Sequence, residues 1–279
     1  MTKLLSMGFS RLIKNKLFWS GTILQAGFFA FIIVANYRDM RLHPDYYQYT
    51  SDTFMFAPFR ISGLFASCFT GMFLGSEYSY GTIRNKLVIG KSRADVYLTN
   101  LIITFAASLI VNIVSILVAF SAGILLFGPP ELAPAKMLMI CGLGVLMLAA
   151  FAGIFTLLST LITNKAAGSV VNMLLFLALI IVGTFIVDRL EQPEMMMPSF
   201  IMSIDGVIQP TELVPNPYYL QGTTRKVFEF FRDLLPTSQG SLLMTHEIER
   251  PLTVALCSLA LTACTTVSGI FHFCKKDLK

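Results

Sequence analysis

Charge is the scarcest commodity in this sequence. Lys, Arg, Asp and Glu make up only 13% of its 279 residues, about half the share of a soluble globular domain. A water-soluble surface for so long a chain cannot be built from that supply. Catalytic groupings are equally thin. The three histidines, His43, His246 and His272, are scattered, and no HExxH, GxSG or pair of carboxylates within an apolar segment occurs. A membrane-embedded enzyme therefore lacks its nucleophile or metal constellation. The five cysteines (Cys68, Cys141, Cys257, Cys264 and Cys274) fall in or beside apolar segments and form no CxxC pair. They read as small apolar filler and not as ligands or a disulfide framework. The tripeptide Gly90-Lys91-Ser92 resembles the close of a P-loop, but the glycine required five residues earlier is Asn85. No buried strand precedes it, so an ATP site in this chain is not expected.

Apolar sequence is abundant. Hydrophobic residues make 55% of the chain, and the mean hydropathy is +0.70. The composition predicts an all-α integral membrane protein, a single domain over 1–279. Six segments are long enough to cross a bilayer, which needs about 20 apolar residues each. They cover residues 17–36, 58–76, 97–127, 137–163, 168–187 and 252–273. Lysine and arginine alternate between the gaps. With the N-terminus inside, Lys3, Arg11, Lys14, Lys16, Arg84, Lys86, Lys91, Arg93, Lys165, Lys275, Lys276 and Lys279 are cytoplasmic. The short outer loops keep Arg38, Arg41 and Lys136, with Arg60 near the outer end of span two. The positive-inside rule then puts both termini in the cytoplasm of a multi-pass cytoplasmic (plasma) membrane protein. The basic residues mark topology, so nucleic acid is not an expected partner. Nothing resembles a cleavable signal peptide.

The segments between spans carry the finer predictions. Residues 1–16 form an amphipathic interfacial helix. Leu4, Leu5, Phe9, Leu12 and Ile13 share one half of the wheel, and Lys3, Ser10, Arg11, Lys14 and Asn15 share the other. Trp19 anchors the following bend at the interface. The external segment 188–251 is too long for a plain connection. Within it, 223–236 predicts an amphipathic helix, capped by Thr223 or Thr224 and ended by Pro236. That helix rests on the outer membrane face or lies as a lid over a pathway. In the cytoplasmic loop 77–93, a two-turn helix starts after Gly81 and ends at Gly90. Ser92 caps the next span, with Asp95 three residues on. Glu77 is expected to orient this loop through Arg84 or Arg93. Asn112 and Asn172, polar groups at membrane depth, are expected to bond across helices.

At FLGSEYSYGTIRNKLVIGKSRADVYLTN, residues 73–100, the chain resembles the permease subunits of ABC-2 type ABC transporters, of the bacitracin, lantibiotic and peptide-exporter kind. Six spans, an N-terminal elbow helix and a long outer segment before the last span add to the resemblance, which extends over the whole chain. It implies that the loop is a coupling helix docking on a separate ATPase, through Glu77, Ser79, Tyr80, Gly81, Thr82, Ile83, Arg84, Asn85, Lys86 and Leu87. It implies two ATPase copies around a second permease copy, a homodimer, with the pathway between the permeases. Spans two and five would face that pathway, through Phe65, Phe69 and Met72 and through Asn172, Met173 and Phe176. No cofactor is expected in this chain; ATP and Mg belong to the partner. The expected cargo is amphipathic or hydrophobic: an antimicrobial or cytolytic peptide, or a lipid-like drug. The alternatives are a stand-alone secondary transporter and a lipid- or glycan-carrying ABC permease.

Overall fold

The computed structural model describes residues 1–46, 48–162, 164–197, 201–203, 206–208 and 213–276. In chain order the elements are α1 (Thr2–Ile13), α2 (Lys16–Leu42), α3 (Ser51–Met55), α4 (Pro58–Ser79), α5 (Thr82–Val88), α6 (Arg93–Phe127), α7 (Pro134–Leu161) and α8 (Lys165–Glu191). Then follow β1 (Met195–Met196), β2 (Ile201–Ser203), β3 (Gly206–Ile208), β4 (Val214–Pro215), α9 (Gly222–Leu234), α10 (Pro236–Thr245) and α11 (Pro251–Lys275). Among the described residues, six helical stretches are long and apolar enough to cross a membrane. They coincide with the six expected spans, most of them running a few residues further, while the fourth starts three residues earlier and ends at Leu161. Thr163, the expected last residue of span four, lies outside the described residues, as does Lys279. The fold is that of an all-α multi-pass membrane protein. The two antiparallel pairs β1–β4 and β2–β3 are small additions.

Local chemistry sets the helix starts. Pro58, Pro134, Pro236 and Pro251 each occupy the first turn of a helix, where the missing N–H costs nothing. Asn15, Ser92 and Asn164 open α2, α6 and α8 by accepting from backbone N–H groups of the first turn. The joint between α1 and α2 is locked by Trp19, whose indole N–H donates to Ile13 O at 2.6 Å.

α4 is the hub of the bundle. The apolar window of the Ser51–Ser79 stretch, which α3 and α4 form, is 67% buried inside the chain, against 22% for α8 and 17% for α11. α4 packs on α6, α7, α8 and α10. Phe65, Phe69 and Phe73 stack down one side of it and meet Phe18 of α2. On another side, Gly71 and Gly75 let α8 approach closely. A Cβ on Gly71 would lie 2.5 Å from Ser169 Cα, and one on Gly75 would lie 2.7 Å from Lys165 Cα. This is a small-xxx-small crossing of the kind that holds membrane helices together.

The segment 188–251 differs from expectation in two ways. α9 is present and amphipathic, but it begins at Gly222. Gln221 stands at the cap without a side-chain bond, so neither Thr223 nor Thr224 caps it. Pro236 does end it, and the same proline starts α10, a helix that the sequence reading did not anticipate. PTSQGSLLMT is too polar and too short to suggest burial, yet Pro236 through Leu243 are all buried. Its polar side chains are bonded within the bundle. Thr237 Oγ1 donates to Leu179 O at 2.7 Å, Gln239 Nε2 to Asp233 O at 2.7 Å, and Ser258 Oγ to Gln239 Oε1 at 2.8 Å. α10 is thus a wedge between the ends of α4, α7 and α8. A charged collar closes over it: Glu229 accepts from Arg250 and lies 3.3 Å from Arg225. The Arg250 bond holds the Glu229 carboxyl below its usual range. α3, also unanticipated, carries Asp52, whose Oδ2 accepts from Glu131 N at 2.7 Å and Leu132 N at 3.1 Å.

The α4–α8 crossing predicts a sharp contrast between glycines. Gly71→Leu drives a side chain into the Ser169 backbone and should cost about 2–3 kcal/mol. Gly142→Leu, with nothing within 4 Å of its Cβ position, should be tolerated. Thermal unfolding of the purified variants in detergent checks this; equal midpoints would refute the tight crossing.

Candidate functional site

The last turn of α4 holds a carboxylate where it is least welcome. Glu77 is 3% exposed and sits at a helix C-terminus, the negative end of the helix dipole. A buried carboxylate there costs several kcal/mol unless it is paired. Two cations answer it. Oε1 accepts from Arg11 of α1 and from Lys86 of α5, the latter at 2.6 Å. Oε2 accepts from Asn100 Nδ2 of α6 at 3.2 Å. The backbone carbonyl of Glu77 accepts from Thr82 Oγ1 at 3.1 Å. Arg11 goes further: it donates to Phe73 O and, at 3.0 Å, to Ser76 Oγ. Its guanidinium lies 3.9 Å from the centre of the Phe73 ring. One residue therefore fastens α1, α4, α5 and α6 to each other.

The turn from α4 into α5 is made by Gly81, at φ +64°. No atom lies within 4 Å of its Cβ position, so the need for glycine there is conformational, worth about 1 kcal/mol. α5 buries Ile83 against Leu4, Val96, Tyr97 and Phe273. Its other face is open. Arg84 and Asn85 are exposed, and so are Val88 and Ile89. Tyr80, just before the helix, is exposed as well. Gly90 takes φ +85°, and Lys91 N–H donates to Lys86 O at 3.2 Å. Ser92 Oγ accepts from Asp95 N at 3.0 Å. Gly90-Lys91-Ser92 is thus the corner between α5 and α6.

Cations also fasten the neighbouring helix ends. Arg93 donates to Phe273 O at 2.9 Å and to Lys276 O, and Lys276 Nζ donates to Leu161 O at 2.8 Å. The C-terminal carbonyls of α7 and α11 are capped in this way, and burial pushes the Lys276 ammonium below its ordinary value.

Several sequence expectations change here. Glu77 is held by Arg11 and Lys86; Arg84 faces outward and Arg93 caps α11. Arg11, placed on the polar half of the N-terminal helix, turns inward, because the buried carboxylate demands a cation. α1 accordingly packs through Leu4 and Leu12, while Phe9 and Ile13 are exposed. Asn112 does not reach another helix; its amide donates to Ser108 O of its own helix at 2.9 Å. Asn172 does cross helices, donating to Ser67 O at 3.3 Å and Ser159 Oγ at 2.8 Å.

The expected pathway residues divide. Phe65 and Phe69 belong to the α2–α4–α6 core, and Phe176 packs on Phe151, so these side chains are buried inside the chain, as is Asn172. Met173 is exposed. Met72 lines a cavity of about 530 Å³ between α4 and α8, together with Ser79, Asn164, Lys165, Ala166, Ser169 and Val170. Of the remaining loop positions, Thr82, Lys86 and Leu87 are half-buried. The residues that sequence reasoning missed are Arg11 and Asn100. Their signal was faint: an acidic residue at a span end with no acidic neighbour, and cations on adjoining elements.

The junction makes a stability prediction. Glu77→Gln keeps the shape but leaves Arg11 and Lys86 facing each other, and should cost about 2–3 kcal/mol. Arg84→Gln, on the exposed face of the same helix, should shift stability by less than about 0.5 kcal/mol. Unfolding midpoints of the two variants test the difference; equal losses would show that Glu77 is not the anchor.

Neither the protein-family models nor the curated proteins compared with this chain include a match to it.

Proposed function

We propose that this chain is the permease subunit of an ATP-driven exporter of the ABC-2 type. α5 would be the coupling helix that receives a separate ATPase, and α1 the elbow helix. The observation that carries this reading is the anchoring of α5. A two-turn helix left free in solution is unstable, yet α5 is held by Ile83 on one face and by Lys86 on Glu77, with Arg84, Asn85, Val88 and Ile89 left open. Such a helix can transmit a push. Because Glu77 also binds Arg11 and Asn100, force on α5 reaches α1, α4 and α6 together. A mixed surface of one arginine, one amide and several apolar side chains suits a groove on a protein partner.

In this reading the pole carrying α1 and α5 faces the cytoplasm, and two permeases enclose the pathway. ATP and Mg belong to the partner, and the chain itself does no bond chemistry. α4 is the element best placed to convert the push into an opening, since it contacts α6, α7, α8 and α10. α10 would sit at the exit, wedged at the opposite pole. The cargo is an amphipathic or hydrophobic molecule, consistent with the low charge of the spans.

The test is recovery of the partner. Purified from its native membranes in mild detergent, the tagged chain should bring an ATPase subunit in about one-to-one ratio. Arg84→Glu should reduce that recovery by about tenfold, as expected for charge reversal at an interface hot spot, with the unfolding midpoint unchanged. Recovery without any ATPase from cells in which transport is intact would overturn the proposal.

A further inference from the structure

The cavity between α4 and α8 has a chemistry of its own. The glycine crossing at Gly71 and Gly75 brings the two backbones together, and the cavity opens beside it. It is an open groove and not an enclosed pocket, since Ser79, Asn164, Ala166 and Val170 on its lining are exposed. Met72 and Val170 make its apolar wall. Lys165 is the charged residue on its lining, and among the described residues no carboxylate pairs with it. Ser79 and Ser169 donate their hydroxyl hydrogens to Gly75 O at 3.0 Å and Lys165 O at 2.9 Å. Asn164 Oδ1 accepts from Ala166 N and Ala167 N, which leaves its amide N–H groups as donors. The cavity therefore offers an ammonium and an amide at the positive end of α8, the reception an anionic oxygen requires.

The second half of the argument lies along α8. Val170, Leu174, Leu177 and Ile181 are 54%, 60%, 46% and 69% exposed and recur at helical spacing, so one apolar stripe runs out of the cavity. From Val170 to Ile181 the stripe rises about 16 Å, which is about half the thickness of a hydrocarbon core. An anionic head with one leaflet's depth of alkyl chain matches both halves.

We propose that this cavity binds the phosphate headgroup of an anionic membrane phospholipid, with an acyl chain laid along the α8 stripe. The ammonium of Lys165 pairs with the phosphodiester, and the Asn164 amide donates to a second oxygen. The site goes beyond the export reading and requires no ATPase; its failure would leave that reading standing, and the converse holds too.

The test is native mass spectrometry of the purified full-length chain in a non-ionic detergent. The probes are phosphatidylglycerol, phosphatidylcholine and inorganic phosphate. Phosphatidylglycerol adducts should exceed phosphatidylcholine adducts by about fivefold, the scale of one lysine near an anionic lipid. Lys165→Ala should remove that preference. Ala166→Phe, which fills the cavity and keeps the lysine, should lower adducts of both lipids. Lys91→Ala, a half-buried lysine in the α5–α6 corner away from the groove, should change nothing. Unfolding midpoints identify any variant that fails to fold, and the other cavity variant then decides. Equal retention of the two lipids by the wild-type chain overturns the proposal. So does displacement of phosphatidylglycerol by millimolar inorganic phosphate, which would make this a phosphate site. A dimer mass that carries no lipid would give the stripe to a second copy and would also refute it.

Discussion

A single buried carboxylate organises one pole of this protein. Glu77 stands at the negative end of α4, where its own helix disfavours it, and it is nearly sealed from solvent. The cost is offset because Arg11 and Lys86 arrive from two separate elements and Asn100 from a third. Neither cation would hold its helix in place through a surface ion pair, since exposed pairs contribute about 0–1 kcal/mol. At a buried site, loss of a partner strands an uncompensated charge, so the arrangement resists piecemeal opening. α1 and α5, too short to stand alone, become fixed parts of the fold through that one oxygen atom.

Elsewhere the structure follows the same rule with neutral groups. Many polar side chains inside the bundle are bonded to carbonyls of their own helix or of the next one, with Gln25 Nε2 and Thr70 Oγ1 among the exceptions. Thr104 meets Thr156 at 3.0 Å between α6 and α7, and Asn172 ties α8 to α4 and α7. Without a hydrophobic driving force between helices in lipid, these bonds and close backbone approaches carry the association. The glycine crossing of α4 and α8 is the clearest case. It trades side-chain volume for contact, and the space beside it becomes the cavity at Lys165. α10 belongs to the same pattern, because a polar segment is stable inside the bundle only where every donor has somewhere to go.

The two poles thus differ in kind. At one, short helices are fastened by buried charge to the ends of the spans, with a mixed polar and apolar face left open on α5. At the other, a polar wedge is held by neutral hydrogen bonds beneath the pairs of Glu229 with Arg225 and Arg250, and the buried carboxylate of Asp233 pairs with Arg232 at 3.0 Å. The first is suited to receive force and pass it on as a unit.

Much of this was legible in the chain itself. Twenty-residue apolar runs can only become buried or membrane-spanning helices, so the six spans and their approximate ends follow from length and hydropathy. Gly81, Gly90 and Ser92 mark α5 and its exits because left-handed turns and helix caps are local needs. Pro236 marks a helix boundary for the same reason. Tertiary structure alone decided which residues meet. Arg11 and Glu77 are 66 positions apart, and an amphipathic wheel cannot show that one arginine of α1 faces a carboxylate and not lipid. Nor can it show that Phe65 and Phe69 turn into the chain, or that PTSQGSLLMT is buried. Those outcomes depend on the placement of a charge or hydrogen-bond partner across the bundle, and local sequence holds no information about that distance.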